Sequence, residues 1–335
     1  MKSNWLLIVL ILFLFISCKD ENPGDPPVVT VPVAGQRINC IAIDQNGYKW
    51  IGTRSGLFMY DNKNWYTDTT FKNVGINTIV ARSNSIDIAT AKGAYTAQVK
   101  AGKTTIIETH NQSQLGCPFT EVNTYDLGMG NRKWFGVPAG LALFDGSKYQ
   151  QNKNISLNLV AISNSNCMAF RKNDGFFGTL GKYLYHVKYN PATDAITGAS
   201  QMLGGADNPI HNYNGELTTD TIFCVAASAD SSIWFGSLKG LTRNKGETKV
   251  GNGVFEYFLR GERVRCVYEF SDGNIWAGTE NGFYTRKNDT WLHFTISDGL
   301  PGNMIFCMAE DTDGSIWMGT DKGLSHFRGG KFTTY

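Results

Sequence analysis

The chain has 335 residues, with 31 Lys and Arg against 29 Asp and Glu and five His. That near-neutral balance, without a Lys/Arg cluster, lacks the electrostatic footprint of a nucleic-acid binder. An aromatic content of 13% and 37 glycines suit many short strands joined by tight turns.

In chain order, the first element is an apolar run from Trp5 to Ile16 behind Lys2. At about 1.5 Å per residue it spans roughly 18 Å, short of the ~30 Å bilayer core, so it reads as a signal peptide over residues 1–17 and not as a membrane span. It ends Phe15-Ile16-Ser17-Cys18, which resembles a lipobox. That resemblance implies a lipid on Cys18 and attachment to a membrane through it. The following Lys19-Asp20-Glu21 resembles the export motif of surface lipoproteins in the Bacteroidetes, which implies an outer-membrane lipoprotein exposed at the cell surface. Pro23 to Pro32 holds four of the nine prolines, so residues 18–36 read as an extended tether.

The remainder, residues 37–335, is built from one repeat. The tripeptides Trp50-Ile51-Gly52, Trp134-Phe135-Gly136, Trp234-Phe235-Gly236, Trp276-Ala277-Gly278 and Trp317-Met318-Gly319 are clear copies. Phe176-Phe177-Gly178 and Asp87-Ile88-Ala89 are fainter ones. The seven anchors are separated by 37, 47, 42, 58, 42 and 41 residues, the size of a four-stranded propeller blade. The expected fold is therefore all-β, a seven-bladed β-propeller with four-stranded blades. In the first blade the strands are expected at Ile38–Ile43, Lys49–Thr53, Leu57–Tyr60 and Trp65–Asp68, from inner to outer. The last copy ends on an outer strand, Lys331 to Tyr335, so no strand is plainly held back to close the ring. Val28–Val33 is a candidate extra strand, with Pro32 arguing against it.

Ten residues before four anchors stands a cysteine, at Cys40, Cys224, Cys266 and Cys307; Cys167 is one residue nearer its anchor. Equivalent positions in neighbouring blades lie about a sheet spacing apart, ~10 Å, beyond the ~7 Å Cα limit for a disulfide. These cysteines are expected to be small buried apolar groups. Between each Cys and its Trp lies a turn such as Asp44-Gln45-Asn46-Gly47. The Trp anchors are expected to pack blade against blade, although a sugar-stacking platform would use the same residue type.

The pattern Asp-x-x-Gly-x-x-Trp-x-Gly-Thr-x-x-Gly-Leu stands as Asp44 to Leu57 and again as Asp311 to Leu324. It resembles the two-component regulator propeller repeat. The resemblance covers about residues 38–335 and is strongest in blades one, five, six and seven. That family commonly forms the periplasmic sensor half of hybrid signalling proteins. No second propeller, membrane span or kinase is read after these blades, so the resemblance implies the fold and not the signalling role.

No nucleophile elbow, zinc-protease helix or phosphate loop occurs. His110, His186, His211, His293 and His326 lack metal-ligand spacing, and Asp311 with Asp313 reads as a turn and not as a calcium loop. No metal, cofactor or catalytic residue is therefore expected. Two stretches exceed the repeat, Thr109–Glu121 and Gly204–Asp220, each joining an outer strand to the next inner strand. The second carries Asp207, Asn208, His211, Tyr213, Asn214 and Glu216, a mixture suited to a polar ligand such as a sugar. Arg54 and Arg260 are candidate contributors from other blades on the same face. The function expected is non-catalytic binding of a glycan or an envelope protein. A docking subunit of an envelope secretion or sensing complex, and a propeller lyase or hydrolase, are the alternatives.

Overall fold

The computed structural model describes residues 31–100, 103–113, 117, 119–151, 165–180, 184–190, 192–193, 195–201, 221–245 and 254–335. Cys18, the Lys19-Asp20-Glu21 motif and the rest of residues 1–30 lie outside it. Within Val31–Tyr335 the strands form seven antiparallel sheets of four. In each sheet the strands follow chain order, so the ring is a seven-bladed β-propeller. The blades run Ile38–Thr67, Ile76–His110, Thr124–Gln151, Ser165–Gln201, Ile222–Phe258, Val264–Phe294 and Ile305–Thr334. Inner strands of successive blades touch all the way round, and the seventh meets the first.

The repeat can be explained residue by residue. Asp44 accepts from the backbone N–H of Asn46 at 2.9 Å and Tyr48 at 3.1 Å, which shapes the turn. Its second oxygen accepts the indole N–H of Trp50 at 3.0 Å, which fixes the six-residue spacing between the two. Trp50, Trp134, Trp234, Trp276 and Trp317 are all buried. Trp317 lies against Tyr60 of the first blade, with ring centroids 5.9 Å apart, so the anchors are packing residues.

The glycine two residues after the Trp has no room for a side chain. A Cβ on Gly319 would sit 2.5 Å from Cys307 Sγ and 2.6 Å from Cγ2 of Ile38 in the next blade. The cysteine column and the glycine column are thus one packing device, in which the thiol fills the space over the missing Cβ. The six described cysteines are free thiols, and all except half-buried Cys167 are buried. The Thr that follows makes the next turn. Thr320 Oγ1 donates to Gly323 O at 2.9 Å and accepts from Lys322 N at 3.0 Å, with Gly323 at φ 135°.

Polar clasps between blades gather where inner strands end and second strands begin. Arg82 pairs with Asp126 at 2.7 Å, Glu269 accepts from Ala229 N at 2.8 Å, and Glu310 accepts from Ser271 N at 2.8 Å. Each blade is made of its own four consecutive strands, so no blade is shared across the closure. The seam is packed by Val33, Ile38, Phe58, Trp317 and Leu324, with Tyr335 against them. Three expectations need correction. The first outer strand stops at Thr67, because Asp68 turns the chain by accepting from Thr70 N at 2.8 Å. Val31–Val33 forms a turn and not a strand; residues 28–30 lie outside the described set. The long stretch between blades two and three also begins later than Thr109, since the outer strand continues to His110.

Candidate functional site

The inner strands carry a bulge at one repeated position. In six blades the pairing register slips by one residue between the first and third residues of the inner strand, as between Ile38 and Cys40. The extra residue is unpaired with the second strand, and a bulge of this kind re-aims a side chain. Around the ring this position is Asn39, Asn77, Asn123, Asn166, Phe223, Arg265 and Phe306, all half-buried.

The four asparagines do one job. Each amide donates an N–H to the start of the next blade: Asn39 to Ile76 O at 2.9 Å, Asn123 to Ser165 O at 2.9 Å and Asn166 to Ile222 O at 2.9 Å, all in inner strands, and Asn77 to Val122 O at 2.8 Å, two residues before the inner strand of blade three. They form a ladder that ties blade one through to blade five.

The remaining three positions abandon that job. Arg265 of blade six lies 3.9 Å over the ring of Phe223 in blade five. Arg37, which leads into blade one, lies 3.9 Å over the ring of Phe306 in blade seven. Arg265 Nε also donates to Glu280 at 3.0 Å, and Arg263 approaches the same carboxylate at 3.4 Å. Burial, followed by the charges of Arg54 and Arg265, pushes the Arg37 guanidinium below its ordinary pKa. One arc of the channel mouth is therefore cationic and aromatic, and the facing arc is made of amides.

Of the residues singled out from sequence, Arg54 joins this group. It is exposed in the turn after the second strand of blade one. Next to it, Ser55 Oγ donates to Gln36 Oε1 at 2.6 Å, which holds the Arg54 turn against the segment carrying Arg37. Arg260 stands on the same face, exposed, with its guanidinium 5.5 Å from the Tyr257 ring; among the described residues no contact joins it to Arg37. Asp207, Asn208, His211, Tyr213, Asn214 and Glu216 lie outside the described residues. The exit of their segment is placed: Thr221 donates to Leu180 O at 3.3 Å and stands two residues before Phe223.

Sequence reasoning missed Arg37 and the bulge column. The signal was available, because the bulge residue immediately precedes each aligned Cys or Thr. Histidines on third strands are packing groups: His186 stacks on Phe176 at 4.9 Å and His326 on Trp317 at 4.3 Å. Among the described residues no three His, Cys, Asp or Glu side chains are placed to hold a metal ion.

Residues 299–322, which lead into the last blade and cover its first two strands, match the family model described as two component regulator propeller. The chain carries that family's repeat. No curated protein matches the chain. Among solved structures it is similar to the extracellular domain of BT4673 from B. thetaiotaomicron, described as a hybrid two component system, at 22% identity and a TM-score of 0.67. That match covers 88% of this chain and 38% of the other. The extracellular domain of BT3049 from the same organism gives 19% identity and a TM-score of 0.67, over 88% of this chain and 39% of the other. PorZ, described as an essential surface component of the type-IX secretion system of Porphyromonas gingivalis, gives 16% identity and a TM-score of 0.65, over 89% of this chain and 48% of PorZ. The chain thus spans less than half the length of each of these relatives, and at these identities the likeness is one of fold.

Proposed function

We propose that this propeller is a non-catalytic binding module of the bacterial cell envelope, and that its channel mouth on the Arg37–Phe306 side takes a glycan or a protein partner. One observation carries the reading. At a position where four blades use asparagine to tie the ring together, three consecutive blades use Phe223, Arg265 and Phe306, which leave that tie unmade and build aromatic–guanidinium pairs. A departure from a repeat in adjacent blades, at the mouth of the channel, is what a ligand site on a repeat scaffold requires.

The envelope setting is supported by the lipobox-like Cys18, by the Lys19-Asp20-Glu21 motif, and by the surface or extracellular descriptions of the similar structures. On this reading Cys18 is lipidated and the propeller is displayed from the outer membrane. Asp207, Asn208, His211, Tyr213, Asn214 and Glu216 are further contributors, since their segment leads directly into Phe223. A second reading, a docking subunit of an envelope assembly, is favoured by the likeness to PorZ.

The test is to screen the full-length protein on a glycan array, and in envelope pull-downs, against two variants: Phe306→Ala, and Gly204–Asp220 shortened to a Gly-Ser link. A ligand whose binding falls at least tenfold in either variant, with the melting temperature unmoved, supports the site. A ligand held equally by all three proteins removes the channel mouth from the function.

A further inference from the structure

We propose that the surface beside the channel mouth, from Ile296 through Met304 to Arg37, docks a protein partner through a segment that carries a carboxylate next to large apolar side chains. The inference rests on the reading of this face as the binding face and narrows the ligand to a protein. Ile296 is 55% exposed and Met304 39%, although both stand on one tightly held connection between blades six and seven.

That connection is fixed at every step. Thr295 Oγ1 accepts from Ser297 N at 3.2 Å and Asp298 accepts from Thr295 N at 2.8 Å, which closes a single helical turn over Ile296–Asp298. Asn303, the neighbour of Met304, accepts from Ile296 N at 2.9 Å and so brings the two apolar residues together. Asp321 pairs with Met304 in both directions, donating its N–H to Met304 O at 3.1 Å and accepting from Met304 N at 3.2 Å. The next residue, Lys322, accepts at its carbonyl from Gly35 N at 3.2 Å, two residues before Arg37. The Asp321-Lys322 turn therefore ties Met304 to the Arg37 segment, and Arg37 lies over Phe306, two residues beyond Met304. Apolar groups presented on a backbone already held in place lose little freedom on binding.

Charge sets the partner's sign. Among the described residues no carboxylate pairs with Arg37, Arg54 or exposed Lys322, whereas Arg263 and Arg265 share Glu280. The carboxylates of this surface, Asp298 and Asp321, each already accept a backbone N–H. Burial, followed by the charges of Arg54 and Arg265, disfavours the charged form of Arg37, and a partner's carboxylate would relieve that repulsion.

The free apolar groups set the class. A sugar ring stacks on an open aromatic face, but Phe306 and Phe223 each have a face taken by a guanidinium. What stands uncovered is aliphatic, Ile296 and Met304. Methionine and arginine are enriched in protein interfaces, and a methionine adapts to an irregular apolar surface.

Selection of a random dodecapeptide phage library on the full-length protein in detergent tests this. Enriched peptides should carry Asp or Glu beside Leu, Ile, Met or Phe. Synthetic copies should bind more weakly as salt rises. They should bind at least tenfold more weakly to Ile296→Ser, Met304→Ser and Arg37→Gln, with the melting temperature unmoved; Arg54→Gln reads the same charge should Arg37→Gln melt early. No enriched clone, enriched peptides without a carboxylate, or peptides held equally by Ile296→Ser and Met304→Ser overturns the proposal. A glycan from the array that is lost in Phe306→Ala but kept in Ile296→Ser and Met304→Ser overturns the protein partner while leaving the mouth as the binding face. Ligands of either kind that are indifferent to Phe306→Ala as well overturn both readings.

Discussion

Lys49 of the first blade and Asp311 of the last meet at 2.5 Å, and the lysine side chain is only 2% exposed. The ammonium also donates to Gly47 O at 2.8 Å and to Asn62 Oδ1, and lies 5.2 Å from the Trp317 ring. This ion pair sits across the seam of the ring, where no shared blade provides backbone hydrogen bonds. Removing one partner of a buried pair leaves an uncompensated charge and costs roughly 3–5 kcal/mol. Asp311→Ala should therefore lower the urea midpoint far more than Asp44→Ala, its counterpart at a seam where no buried lysine is attached. Lys49→Met in the Asp311→Ala background should recover part of the loss. A double variant no more stable than Asp311→Ala would show that the charge is not the cause.

Trp317 gives a second stability prediction. It is 2% exposed and packs on His326, on Tyr335 at 5.4 Å and on Tyr60 across the seam. Truncating a packed aromatic costs roughly 3–5 kcal/mol. Leu292, on an outer strand, is 49% exposed, and substitutions at such sites usually stay within about 0.5 kcal/mol. Trp317→Ala should depress the melting temperature by many degrees and Leu292→Ala hardly at all. Similar shifts would mean that the tryptophan is free to face a ligand.

Two glycines should behave in opposite ways. A Cβ on Gly319 would collide with Cys307 and with Ile38 of the neighbouring blade. Overpacking of this kind costs about 1–3 kcal/mol. Gly198, on the outer strand of blade four, would present its Cβ to open space. Gly198→Ala should be neutral or slightly stabilising, since it restricts the unfolded chain. Cys307→Ala should rescue part of the Gly319→Ala loss by removing the sulfur, leaving the Ile38 contact. Absence of any rescue would separate the cysteine column from the glycine column.

The architecture was legible because each blade repeats local chemistry: Asp44 six residues before Trp50, Thr320 three residues before Gly323. These are contacts within one turn, and spacing alone carries them. The candidate site was only partly legible. Alternation along a strand would place residue 39 like residues 41 and 43, but the bulge between Ile38 and Cys40 changes its direction, and a bulge is a pairing event between two strands. Arg37 acquires its meaning from Phe306 at the other end of the chain, a neighbour that only ring closure supplies. Arg54 could be placed in a turn after a second strand because that turn recurs in the repeat, whereas Arg37 precedes the first inner strand, where the repeat carries no constant residue to mark it.

The last prediction concerns acid. His186 and His326 are pushed below the ordinary histidine value of about 6.5, chiefly by burial, with Asp174 and Asp313 respectively pulling the other way. The folded protein thus holds both rings neutral, while the unfolded chain takes up protons near 6.5. Their contribution to stability is complete above that pH and declines as pH falls toward the folded values. Glu108 is held down at about 2, first by its bond to His110 and then by Lys133. Its contribution is complete above the ordinary glutamate range and disappears only as pH drops through about 2. Stability should therefore fall in two stages, a histidine stage that begins as pH drops through about 6.5 and a carboxylate stage that begins below about 4.5. Urea midpoints measured across both stages check the order. Replacing both histidines with Phe, which keeps the stacking on Phe176 and Trp317, should flatten the first stage and leave the second. A variant that retains the wild-type slope through the first stage would move the acid sensitivity away from the third strands altogether.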